Sequence, residues 1–311
     1  MNQYCFGVDV GGTTIKMGLF DKDANVLDKW EIVTRTENNG ENVLPDIAAA
    51  VLAKMTEKGI SKDEVMGVGV GVPGPVDGKG VVFRCVNLGW SVLNVNDELG
   101  KLIDMPVKAG NDANVAALGE MWKGGGQGYE NLVVVTLGTG VGGGIIIDGK
   151  MLTGASGAGG EIGHIHVQDG EGDQCGCGNF GCLEQYASAT GMVRLAKRKL
   201  AATHKTTKLN LEYLSAKAVW DAVKAGDEVA IEIADQFGEY LGKGLAAIAG
   251  VVNPQVFVIG GGVSKAGDIL LQYIKEYYTE YVFHGSSSAE FKLATLGNDA
   301  GIYGAARLVL E

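Results

Sequence analysis

Hydrophobic and polar positions alternate at Tyr4, Phe6, Val8 and Val10 and again at Ile15, Met17 and Leu19, so residues 3–20 predict two strands joined by the turn Gly11-Gly12-Thr13-Thr14. A third strand is expected at Val26–Val33, then a helix whose apolar residues Val43, Leu44, Ile47, Val51, Leu52 and Met55 keep helical spacing. The run VMGVGVGV predicts a buried strand halted by Pro73 and Pro75, and VNLGW at 86–90 predicts a loop. A helix over 94–103 should end before Pro106, and a short strand at 107–109 opens onto Gly110-Asn111-Asp112-Ala113-Asn114 and another helix.

The segment NLVVVTLGTGVGGGIIID at 131–148 repeats the opening design of strand, glycine-threonine turn and strand, which implies a duplicated fold with a nucleotide between its halves. Helices are expected over 193–202 and 215–224, then along a stripe of Val229, Ile233, Phe237, Leu241, Leu245 and Ile248 that belongs to the core or to a subunit interface. A strand at 256–259, a helix at 269–281, a strand at 291–295 and a helix at 299–310 complete the chain, and in a duplicated fold the last helix can cross back to the first domain.

Candidate chemistry sits at the turns. Backbone N–H groups and hydroxyls of the glycine-threonine turns can cradle phosphate, and Asp9 at a strand end can hold magnesium through water; an ordinary tight turn explains the first hairpin equally well. Asp112 stands where strand meets helix N-terminus, whose partial positive charge favours an ionised proton acceptor, although capping by Asn111 or Asp112 accounts for the position taken alone. Asn87 offers a donor and an acceptor, or closes a turn on its own backbone. Gly260-Gly261-Gly262 lets a base or ribose approach bare backbone, with a helix cap or plain loop as the alternative. Gly138, Gly140 and Gly143 spell G-x-G-x-x-G, but strand continues at 145–147 where a dinucleotide site needs a helix; a partial phosphate-loop match at 144–150 ends in Met151 where Ser or Thr is required. Arg194, Lys197, Arg198 and Lys199 read as a solvated face, with phosphate steering as the alternative.

Residues 161–184 read EIGHIHVQDGEGDQCGCGNFGCLE, in which His164, Cys175, Cys177 and Cys182 can close on one tetrahedral ion. Zinc is the expectation, structural because four protein ligands leave no open position, and the glycines at 176, 178 and 181 suit a chain wrapped tightly round an ion. A disulfide would leave an odd cysteine, and a calcium loop fails at Phe180, where a bidentate Glu is needed. Glu161 and Glu184 bracket the loop as rigidly held carboxylates for something rich in hydroxyls, such as a sugar.

The 311 residues suffice for two domains with separate cores. A net charge of −11 and a pI near 4.9 argue against a nucleic-acid partner, which needs a basic surface. The amino terminus lacks a basic-then-apolar signal segment and 132–147 is too short and glycine-rich for a membrane span, so no membrane partner is expected and unpaired cysteines fit a reducing cytoplasm.

Taken in order, DVGGTTIK, GNDANVAALGE, LGTGVGGG, EIGHI, CGCGNFGCLE and GGGVS resemble the ROK family of sugar kinases (repressors, open reading frames and kinases) over nearly the whole chain, and most closely its bacterial ATP-dependent glucokinases. The resemblance implies an α/β, two-lobed actin-like ATPase (ribonuclease H-like) fold whose sugar-filled cleft closes for transfer. Residues 1–110 plus 298–311 would form the small lobe, and 111–297 the large lobe with the zinc loop, sugar site and adenosine site. It implies Asp112 as general base on the sugar 6-hydroxyl, with Asn87, Asn111, Glu161, His164 and Glu184 around the ring. Asp9, Gly11, Gly12 and Thr13 would serve phosphate and Mg2+, Gly138, Thr139 and Gly140 the second phosphate contact, and Gly260, Gly261 and Gly262 the adenosine. His164, and not His166, would join Cys175, Cys177 and Cys182 on zinc. Glucose and ATP are the implied substrates of a homodimer. Family repressors carry a helix-turn-helix ahead of this region, whereas here the first strand begins at residue 3, so a repressor is not expected, and intact Asp112 and phosphate hairpins favour an enzyme. Kinases for N-acetylglucosamine, N-acetylmannosamine, mannose or fructose, a polyphosphate donor, and a catalytically idle sugar sensor are the alternatives; VNLGW and CGCGNFGCLEQYASATG look like the glucokinase branch.

Overall fold

The structure, a computed structural model, describes residues 3–310. Strands β1 (Tyr4–Val10), β2 (Thr14–Asp21) and β3 (Val26–Val33) lead to helix α1 (Val43–Lys58), strand β4 (Val65–Val72), helix α2 (Val95–Ile103), strand β5 (Val107–Asn111) and helix α3 (Asp112–Lys123). Strands β6 (Leu132–Leu137), β7 (Val141–Ile147) and β8 (Lys150–Met151) follow. Past the cysteine loop come helices α4 (Ala189–Ala202), α5 (Ala216–Lys224) and α6 (Glu228–Val252), strand β9 (Val256–Gly260), helix α7 (Asp268–Tyr281), strand β10 (Glu290–Leu293) and helix α8 (Ala300–Leu308). The first sheet has the order β3-β2-β1-β4-β5 and the second β8-β7-β6-β9-β10, the same connectivity twice.

The chain divides into two compact units, one of 1–128, 144–160 and 296–311, the other of 129–143 and 161–295. The first thus takes in 111–128, 144–160 and 296–297, which the sequence assigns to the second lobe. In this unit β1, β4 and β5 run parallel, so their carboxyl ends, carrying Asp9, Val72 and Asn111, lie at one edge of the sheet. That is where an open α/β sheet presents a ligand crevice. The apolar face of α1, with Val43, Leu44, Ile47, Val51 and Met55, is buried in the same cluster as Phe6, Val8, Ile15 and Val68. The last helix does return to the first unit, and glycines let it: a methyl group at Gly7 or Gly69 would run into the backbone carbonyl of Ile302 or Ala305 on α8.

In the second unit β6, β9 and β10 are parallel, with Gly260 opposite Thr136, so the turn after β6 and the glycines after β9 are neighbours. The stripe Val229, Ile233, Phe237, Leu241, Leu245 and Ile248 on α6 is buried within this chain and is therefore core. Gly238 and Gly242 on the same helix lie against Tyr273 and Tyr277 of α7, where a side chain would hold the helices apart. Helix α4 begins at Ala189, earlier than residue 193, because the Ser188 side chain caps it by accepting from the Gly191 N–H. Among the described residues no helix is long and apolar enough to cross a membrane. All five cysteines are free thiols.

Candidate sugar and phosphate site

Asp9 leaves the sheet at the end of β1 and lies against Gly301 of α8, a position where any side chain would overlap its carboxylate. Burial pushes its pKa up to about 6; Lys16 acts against that shift and the nearby Asp112 carboxylate adds to it. Two neighbouring carboxylates of this kind suit a hard cation such as Mg2+, which prefers oxygen donors. The following turn is set by Gly11 N–H donating to Thr14 O at 3.0 Å and pinned by Thr34, whose hydroxyl donates to Gly11 O at 2.7 Å. Thr34 was not singled out from sequence, because nothing local marks a contact 23 residues away.

At the end of β5 the division of labour between Asn111 and Asp112 is explicit. Asn111 caps α3, its Oδ1 accepting from Asn114 N–H at 3.1 Å, while its amide donates to Gly74 O at 3.1 Å and Asp112 Oδ1 at 3.0 Å. Asp112 Oδ1 also accepts from Ala113 N–H at 2.8 Å. Asp112 is therefore an oriented carboxylate at the first helical position and does not itself cap the helix. Asn114 ties α3 to the segment before the cysteine loop by donating to Gly159 O at 3.0 Å. Asn87 is exposed on a short 3-10 turn, Val86–Leu88.

In the second unit, the Gly138-Thr139-Gly140 turn is fastened to the start of α4: Ala189 N–H donates to Gly138 O at 2.8 Å and the Thr190 hydroxyl to Thr139 O at 2.6 Å. Glu184 lies directly against this turn, for a side chain at Gly140 would overlap Glu184 Oε2. The other carboxylate oxygen accepts from the Cys175 thiol at 3.0 Å and stands 3.7 Å from His164 Nδ1. On the far side of that ring, His164 Nε2 is 3.8 Å from Glu161 Oε2. Gly261 has a φ of 83°, and a side chain there would meet the Leu137 backbone, so glycine is required where β9 ends beside β6.

The cysteine loop closes as its spacing predicts. One ligand atom from each of His164, Cys175, Cys177 and Cys182 lies within 4.8 Å of the others. Cys177 Sγ and Cys182 Sγ are 3.6 Å apart, and Cys175 Sγ is 3.8 Å from His164 Nδ1. A tetrahedral ion about 2.3 Å from sulfur sets its ligands about 3.8 Å apart, so the four side chains fit a metal of zinc's size and taste. The Asn179 N–H holds the Cys177 thiol below its ordinary pKa, while burial pushes the Cys175 and Cys182 thiols up, so a metal binding here would displace their protons. His166 points elsewhere, with Nδ1 at 2.9 Å from Phe180 O and Nε2 at 2.9 Å from Asp169 Oδ1. Acceptors at both nitrogens favour the charged ring, Asp169 foremost, and raise its pKa.

The loop has a second fastening that the sequence did not announce. Glu171, its side chain 2 % exposed, accepts from Arg198 at 2.9 and 3.0 Å and from the Tyr186 hydroxyl, and Arg194 pairs with Asp173. The Arg198 guanidinium brings the Glu171 carboxyl down to about 2. The acidic loop residues thus fold back across α4 and pair with Arg194 and Arg198, while Lys197 and Arg198 remain exposed, as a solvated face requires.

This α/β scaffold, with glycine-threonine turns at strand ends and a His/Cys loop beside a carboxylate, belongs to a defined class. The ROK family profile matches residues 5–311, and the chain is a member of that family. It is 44 % identical to the glucokinase of Halalkalibacterium halodurans over 317 aligned residues, covering 100 % of this chain and 96 % of the relative. It is 37 % identical to the glucokinase of Thermotoga maritima, covering 98 % and 96 %. Among solved structures, the ROK glucokinase of Streptomyces griseus in complex with glucose and AMPPNP matches at a TM-score of 0.75 and 35 % identity, over 98 % of each chain. The fold is that of the ROK sugar kinases.

Proposed function

We infer that this chain is an ATP-dependent glucokinase, moving the γ-phosphoryl group of ATP to the 6-hydroxyl of D-glucose. The observation that carries this reading is Glu184, one carboxylate lying against Gly140 while its other oxygen faces His164 and Cys175. A group suited to sugar hydroxyls and a turn suited to phosphate therefore stand side by side, the juxtaposition that transfer from a nucleotide to a sugar requires.

In the mechanism we propose, Glu161, His164 and Glu184 bind ring hydroxyls, and Asn87 and Asn111 add amide contacts. The 6-oxygen attacks the γ-phosphorus as Asp112 accepts its proton; the bond from phosphorus to the β,γ-bridging oxygen breaks, and its electron pair leaves with ADP. Phosphoryl transfer passes through a loose, charge-rich transition state in which positioning and electrostatics dominate, so a carboxylate of ordinary basicity suffices. The turns Gly11-Gly12-Thr13 and Gly138-Thr139-Gly140 would cradle the phosphates, Gly12, Thr13, Thr139 and Gly140 offering backbone N–H groups while those of Gly11 and Gly138 are used within their own turns, and Gly260, Gly261 and Gly262 would offer bare backbone to adenosine. Asp9 would hold Mg2+ through water, and the ion, when bound, neutralises donor phosphate charge. His164, Cys175, Cys177 and Cys182 would hold one structural zinc, which fixes the loop carrying Glu161 and Glu184. The matching strand orders of the two sheets support a duplicated, two-lobed actin-like fold, and we take the protein to be a cytoplasmic homodimer.

A coupled assay over glucose, N-acetylglucosamine, N-acetylmannosamine, mannose and fructose, with ATP and with polyphosphate, tests the reading. The highest kcat/KM is expected for glucose with ATP. A site built to hydrogen-bond the 2-hydroxyl leaves buried polar groups unpaired with 2-modified sugars, at about 1–3 kcal/mol each. A higher kcat/KM for N-acetylglucosamine would reassign the sugar, and sugar binding without any turnover would make the protein a sensor.

A further inference from the structure

Three cavities in the second unit share walls. One of about 340 Å³ is lined by Glu184, Cys175 and Gly140, and shares Thr139, Thr190 and Arg194 with one of about 710 Å³. That larger cavity in turn shares Ala189, Ser215 and Ala216 with one of about 360 Å³ lined by Gly262 and Val263. The three form one run from the carboxylate beside the phosphate turn to the glycines after β9, and α4 supplies part of the wall of its middle section.

Three cations of α4, Arg194, Lys197 and Arg198, line that middle cavity, with Lys199 next to them on the helix, and the structure treats the four differently. Arg194 is paired with Asp173, Arg198 with Glu171 and Lys199 with Glu232. Lys197 lines the middle cavity and, among the described residues, has no ion-pair or hydrogen-bond partner. In a chain of net charge −11, an ammonium left uncommitted between a phosphate turn and a glycine run is placed for an anion.

We propose that Lys197 is a donor-binding residue, its ammonium meeting the phosphate chain of the bound nucleotide; this rests on the glucokinase reading. Lysine acts here as a point charge on a flexible stem. Such a contact holds donor and transition state alike, so it changes KM for ATP and spares kcat. It is exposed, so salt screens it.

The test measures KM for ATP and for glucose, and kcat, for the parent, Lys197→Ala, Lys197→Arg and Lys199→Ala at low and at moderate salt. Lys197→Ala is expected to raise KM for ATP about tenfold, the scale of one charge-assisted hydrogen bond. Its kcat and glucose KM should stay within twofold, with a flatter salt dependence of KM for ATP. Lys197→Arg should restore most of the affinity, and Lys199→Ala, which removes a cation already paired, should match the parent. A Lys197→Ala KM for ATP within twofold of the parent and with the parent's salt dependence overturns the proposal, as does an equal rise in glucose KM, which marks a general structural role. If the parent itself turns over no glucose, the glucokinase reading fails; calorimetric ADP binding to parent and Lys197→Ala then decides this proposal separately, equal affinities overturning it.

Discussion

Asp9 lies at the end of β1 and Asp112 opens α3 just after β5, and the two carboxylates sit in different surroundings. Because Asn111 already caps α3, replacing Asp112 by Asn leaves the cap and the helix start intact and removes the proton acceptor. General-base assistance is commonly worth about 10² to 10⁴ in rate, so kcat of Asp112→Asn should fall by that order while glucose affinity, read by calorimetry, changes only several-fold. A kcat within threefold of the parent would remove Asp112 from the mechanism. Asp9 makes a stability prediction. With its pKa raised to about 6, the folded protein holds this proton more tightly than the unfolded chain, so ionised Asp9 opposes folding above about pH 6 and the penalty fades as pH falls toward the ordinary aspartate range near 4. Asp9→Asn, measured by thermal unfolding in chelator without Mg2+, should therefore be more stable than the parent at pH 7.5, by up to about 3 kcal/mol, with the gain shrinking toward pH 4. A gain that is absent at pH 7.5, or that grows on acidification, contradicts the burial argument.

At the scale of the element, the cysteine loop was the most legible feature of the sequence and the least completely read. Ligand spacing pointed to the cluster, and the four side chains meet. The choice between His164 and His166 was beyond spacing, since alternate residues of an extended chain can share a face. The fold groups His164 with the cysteines and pairs His166 with Asp169 and the Phe180 carbonyl, an arrangement that favours His164. Metal analysis of purified protein should find about one zinc per chain in the parent and in His166→Ala, and much less in His164→Ala; the reverse pattern would assign the ligand to His166. The clasp of Glu171 with Arg198 and Tyr186 joins residues 15 to 27 apart in sequence, and no local pattern encodes it.

For the whole molecule, ligand linkage gives the broadest prediction. Glucose at about 100 times its Kd should stabilise the native protein by about 2.7 kcal/mol and raise Tm by roughly 5 °C, with N-acetylglucosamine at the same concentration well below that. An equal or larger shift with N-acetylglucosamine would overturn the choice of sugar. Periodicity determined the elements by itself: the hairpin before and after Gly11-Gly12-Thr13, the strand at Val26–Val33 and the stripe on α6 are written in spacings of two and of 3.6 residues, because local backbone geometry alone decides which side chains share a face. The order of GNDAN, LGTG, E-x-G-H and the cysteines likewise determined the family. Only the tertiary structure decided that Asn111, and not Asp112, caps α3, that Thr34 and Thr190 pin the two turns, that Glu184 reaches Gly140, and that Arg194 and Arg198 are claimed by the loop while Lys197 is not. Each of these depends on which distant segments the parallel strands and packed helices bring to one place, and contacts between distant segments leave no periodic trace in a single sequence.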